Sequence, residues 1–71
     1  MSYIKGNDEN ITIFLSIGEI IEYEVEDGYV EGQVLEVDES SNAVKVLPLS
    51  GHDLIVIPTW ISGEQIISYS K

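Results

Sequence analysis

Between Glu19 and Val34 the chain alternates so regularly that few folds can accommodate it. Ile21, Tyr23 and Val25 fall on one side of an extended strand, and Glu22, Glu24 and Glu26 on the other. Asp27-Gly28 follows, a dipeptide that tolerates the positive φ of a two-residue type I′ hairpin turn. Across such a turn Val25 faces Val30, Tyr23 faces Gly32 and Ile21 faces Val34 on the apolar side. Glu26 then faces Tyr29, Glu24 faces Glu31 and Glu22 faces Gln33 on the polar side. Both strands agree on which side is buried, so an antiparallel hairpin is expected here.

A second hairpin is expected to join Gln33–Asp38 to Ala43–Leu49 through Glu39-Ser40-Ser41-Asn42. It sets Val37 against Val44, Leu35 against Val46, and Glu36 against Lys45 as an opposite-charge pair. This hairpin turns Leu35 and Val37 inward, whereas the first turns Val34 inward. One strand satisfies both only if it bulges near Val34-Leu35. Gly32, without a side chain, eases close packing beside the bend. A long strand that bends to serve two sheets is the device of a small barrel.

The flanking segments complete the pattern. Residues 1–10 read as a short strand or tail, and residues 11–71 as a single domain. Ile11, Ile13, Leu15 and Ile17 alternate with Thr12, Phe14 and Ser16 as a strand, and Gly18 marks a turn. Leu54–Ile57 reads as a short apolar strand that Pro58 ends. Pro58–Ile61 suits one 3₁₀ turn, Trp60 closing the barrel end, and Gln65–Tyr69 suits a last strand. The expectation is an all-β fold, a small five-stranded SH3-like barrel with a short 3₁₀ turn before the last strand.

Composition narrows the functions open to such a barrel. Thirteen acidic residues against three basic ones give a formal net charge of -10, and no basic residue lies between Lys5 and Lys45. That field repels nucleic acid and anionic membranes and attracts basic proteins. Without cysteine there is neither a disulfide framework nor a thiolate metal site. The single histidine, His52 beside Asp53, is too little for a zinc cluster and lacks the nucleophile and second base of a hydrolase. Asp38-Glu39-Ser40-Ser41-Asn42 opens like a calcium loop, but Ala43 and Leu49 stand where glycine and glutamate are needed. No cofactor, metal or catalytic residue is expected, and Met1–Lys5 lacks the layout of a secretory peptide, so a cytoplasmic location is expected.

Ile17-Gly18-Glu19-Ile20-Ile21, followed by Asp27 to Asp38, resembles the opening of Tudor-like and related SH3-like barrels, and the order of elements as far as residue 69 is similar to that superfamily. Tudor-type readers hold methylated lysine or arginine in an aromatic cage. The resemblance implies cage positions near Tyr23 and Tyr29, while Val46 stands where a third-strand aromatic belongs. Type II dihydrofolate reductases share the strand order, but Leu54–Ile57 lacks the glutamine and tyrosine of their working strand.

The candidate site is the polar face of the first hairpin: Glu22, Glu24, Glu26, Asp27, Tyr29 and Glu31. Like charges directly opposite on a sheet are destabilising, so a face of this kind gains most from a basic protein partner. One version is mimicry of nucleic acid, carboxylates standing for phosphates, in the manner of small phage-encoded inhibitors. An alternative is a structural subunit forming a homo-oligomer through surplus apolar residues around Ile11–Ile17 and Leu54–Ile57. A third is a reader of methylated or cationic side chains through Tyr29, with Tyr23 as a second candidate.

Overall fold

The computed structural model describes residues 2–6, 10–49 and 57–69, with residues 68 and 69 described by backbone alone. Strands β1 (Ser2–Lys5) and β2 (Thr12–Leu15) pair with each other. Strands β3 (Ile20–Val25), β4 (Gly28–Asp38), β5 (Ala43–Pro48), β6 (Thr59–Ser62) and β7 (Ile66–Tyr69) form a curled antiparallel half-barrel in the order β6-β5-β4-β3-β7. A 3₁₀ turn, Gly63–Gln65, joins β6 to β7. No helix among the described residues is long and apolar enough to cross a membrane.

The β3–β4 hairpin forms with the expected faces but in another register. Val25 pairs with Gly28, Glu24 with Tyr29, Tyr23 with Val30, Glu22 with Glu31 and Ile21 with Gly32. The turn residues are Glu26 and Asp27, and Gly28 takes the positive φ of +138° that Asp27 avoids. Placing the strained angle on glycine spares an L-residue the clash of its Cβ, which moves the turn one residue towards the N-terminus. The slip is even, so the buried side stays buried while every cross-strand partner changes.

In the second hairpin Val37 pairs with Val44 and Glu36 with Lys45, as expected. The ladder then shifts between Val34 and Glu36, so Leu35 is the bulged residue and Val34, not Leu35, lies opposite Val46. Gly32 sits where β4 passes over Tyr23, and a Cβ there would lie 2.8 Å from Tyr23 Cε1 and 3.2 Å from Val46 Cβ.

Elsewhere the sequence expectations need correction. Thr59–Ser62, which contains Trp60, is a strand, and the 3₁₀ turn comes later, at Gly63–Gln65. The reason is a capping box: the Ser62 hydroxyl accepts from Glu64 N–H, and Gln65 Oε1 accepts from Ser62 N–H at 2.9 Å. Strand alternation buries Ile61 and leaves Trp60 outward and 51 % exposed, so it does not close the barrel end. Ile11 and Ile17 lie outside β2 and are exposed. The expected strand at Leu54–Ile57 lies outside the described residues except for Ile57, which is not in a strand, and His52 lies outside them too.

The core joins both sheets. Ile4, Ile13 and Leu15 from the strand pair pack with Ile21, Tyr23, Val34, Val44, Val46, Ile61 and Ile66 from the half-barrel. The Asn42 side chain fixes β1 in place: its Oδ1 accepts from Lys5 N–H at 2.6 Å and its Nδ2 donates to Lys5 O at 3.0 Å. Asn42 can be in the loop because it tolerates φ of +55°.

Candidate functional site

The outer face of the β3–β4 hairpin follows from strand alternation. Ile21 and Tyr23 turn into the core, so Glu22 and Glu24 turn out, and the pairing sets Glu31 across from Glu22 and Tyr29 across from Glu24. Glu24, Glu26, Asp27, Tyr29 and Glu31 are exposed, and Glu22 is half-buried on β3, an interior strand flanked by β4 and β7. All six expected site residues are therefore on this hairpin, four on its outer face and Glu26 and Asp27 at the turn. The like-charge pair is Glu22–Glu31, not Glu24–Glu31, and Tyr29 stands beside Glu24 rather than Glu26.

The two lysines among the described residues lie elsewhere. Lys45 forms an ion pair with Glu36 at 3.4 Å, at the far part of β4, and Lys5 lies on β1. Tyr29 is 65 % exposed, a flat aromatic surface set among carboxylates. Tyr23, by contrast, is 2 % exposed in the core and cannot contact a ligand from outside.

The backbone beneath the face is held from a second direction, which the sequence reading missed. Gln65 Nε2 donates to Glu24 O at 3.0 Å, so the capping-box side chain pins the strand that carries Glu24. Ser62-x-x-Gln65 is the readable signal for this, since a hydroxyl three residues before a glutamine marks a capping box. Glu64, on the same turn, brings a further exposed carboxylate to the Glu24 end of the face.

The loop that begins like a calcium site is instead a self-satisfied turn. Ser40 donates to Asp38 Oδ1 through its hydroxyl at 2.7 Å and its N–H at 3.1 Å. Among the described residues no group of three or more acidic, histidine or cysteine side chains is placed to hold a metal. Hydrogen bonds from the Ser40 and Ser41 side chains hold the Asp38 carboxyl below its ordinary 3.8. A lowered folded-state value adds stability above the unfolded value and loses it as pH falls through the folded one. Ser40→Ala is therefore expected to move the Asp38 midpoint, followed by carboxyl NMR, upwards towards 3.8 and to flatten the acid-side loss of stability. An unmoved midpoint would contradict this account of the loop.

No family model matches this chain, and searches of curated proteins and of solved structures return no similar protein.

Proposed function

We propose that this chain is an SH3-like barrel extended by an N-terminal strand pair, acting without catalysis as a docking module whose acidic sheet face receives a basic protein. The strand order β7-β3-β4-β5-β6, with a 3₁₀ turn between the last two strands of the chain, supports the barrel reading. The observation that carries the function is the pairing of Glu22 with Glu31, with Glu24 next in line and Glu26 and Asp27 at the turn. Opposed carboxylates cost folding energy, and a positively charged partner is what turns that cost into binding energy. Carboxylates at strand spacing also suit the mimicry of a phosphate backbone, which would direct the module to a nucleic-acid-binding protein.

Charge reversal tests the reading. Glu22→Lys replaces the like-charge pair with an opposite-charge one, expected to be neutral or stabilising by up to about 1 kcal/mol in a denaturation curve. The wild-type chain is expected to capture a basic protein from its source lysate at about 0.1 M salt and release it near 1 M, where screening is short-ranged. The variant is expected to capture it weakly at either salt. Equal capture by Glu22→Lys would contradict the reading.

A second reading, assembly into a homo-oligomer, draws on the strand pair. Tyr3 and Phe14 pack with ring centroids 6.0 Å apart on its outer face, Phe14 56 % and nearby Ile17 66 % exposed. Sedimentation as a monomer at high concentration would count against it.

A further inference from the structure

Glu24 and Tyr29 do more than end the acidic face, because they also form one wall of a half-open groove of about 430 Å³. The rest of the lining comes from parts distant in sequence, among them Ile11 beside β2, Glu64 on the 3₁₀ turn and Ile67 on β7. A volume of this order lies within the roughly 300–1,000 Å³ of small-molecule sites, so one side chain can enter it. Ile11 and Ile67 are both exposed, so the walls they form are apolar and open to solvent.

The lining selects among ligands. Among the described residues its ionisable side chains are two carboxylates and the Tyr29 phenol, with no lysine, which disfavours an anion. Neither Glu24 nor Glu64 has an ion-pair partner among the described residues. The Gln65 amide is committed at both ends, to Ser62 N–H and Glu24 O, and offers little to a neutral polar ligand. A purely apolar ligand would strip water from the carboxylates and return nothing. What fits is a cation on an aliphatic stem, the stem lying against the isoleucines and the charge meeting the carboxylates. Arginine fits better than lysine, because its planar guanidinium stacks on an aromatic face and is more weakly hydrated than an ammonium.

We propose that this groove receives one arginine side chain of the basic partner, so that the module reads a particular arginine and not bulk positive charge alone. The inference rests on the acidic-face reading and adds to it a specificity pocket.

The test uses the full chain, labelled with ¹⁵N, and the blocked peptide acetyl-Gly-Arg-Gly-amide. Amide shifts are expected at Glu24, Tyr29, Glu64 and Ile67. The lysine peptide should bind more weakly, and the peptide with neutral citrulline should give no such shifts. Glu64→Gln is expected to weaken the arginine peptide about two- to fivefold, the range of a partly exposed charge pair. Glu36→Gln, which removes the same charge away from the groove, should leave its affinity unchanged. Arginine and lysine peptides binding equally, a citrulline peptide that shifts the groove amides as much, equal weakening by both variants, or no shifts at all would each overturn the groove. None of these results bears on the Glu22→Lys capture test, which judges the acidic face by itself.

Discussion

Tyr23→Ala is expected to cost about 3–5 kcal/mol, the range for removing a large buried aromatic. A domain of this length has a total stability of roughly 4–10 kcal/mol, so the variant should be largely unfolded at modest temperature. Tyr23 heads the fully buried side chains by volume and sits on β3, an interior strand, paired with Val30 on one side and Ile66 on the other. Gly32 lies so close over its ring that the void left by alanine has no neighbouring side chain at that point to fill it. Circular dichroism melts check the expectation, and a melting point near that of the wild type would contradict the placement of Tyr23. Tyr23→Phe keeps the packing and isolates the hydroxyl. Burial pushes that hydroxyl above its ordinary 10.0, so the folded state binds its proton more tightly. The resulting stability is present below the ordinary value and lost as pH rises through the folded one, a loss the phenylalanine variant should lack.

Gly63→Ala is expected to loosen the strand pair from the half-barrel. A Cβ at Gly63 would collide with the Lys5 carbonyl oxygen and lie 2.9 Å from both Asn42 Nδ2 and Ile4 Cδ1. None of the three can yield cheaply. Lys5 is held by the Asn42 carboxamide, Gly63 N–H donates to Asn42 O at 2.9 Å, and Ile4 is in the core. Overpacking of this kind costs about 1–3 kcal/mol. In a domain of this size each kcal/mol lowers the melting temperature by about 4–8 °C. Hydrogen exchange is expected to quicken first at β1 and β2 amides, with β3 and β4 less affected. An unchanged melt, or uniform loss of protection, would contradict the view that Gly63 and Asn42 together clamp β1.

How much of this was legible depended on the range of the forces involved. The faces of β3 and β4 could be read because period-two alternation is local, and the bulge at Leu35 because two hairpins demanded opposite parities of one strand. The register of the first hairpin could not, since Asp27-Gly28 permits two turns, and what separates them is that Asp27 avoids the positive φ and leaves it to Gly28 alone. That choice moved Tyr29 to Glu24 and the like-charge contact to Glu22–Glu31. The docking of β1 against the half-barrel was hidden because it rests on Asn42 and Gly63, far along the chain, and not on a pattern within Ser2–Lys5. The groove is similarly non-local, assembled from Ile11, Glu24 and Glu64 only once both sheets have docked.

The central claim is that the outer face of β3 and β4 is the docking surface. The most direct measurement is a ¹⁵N amide footprint of the chain bound to the basic protein it captures. The account predicts shifts confined to Glu22, Glu24, Glu26, Asp27, Tyr29 and Glu31 with the adjoining groove, collapsing near 1 M salt as charge is screened. A footprint on Phe14, Ile17 and Trp60 that survives that salt would contradict it and assign the work to the exposed apolar surface instead.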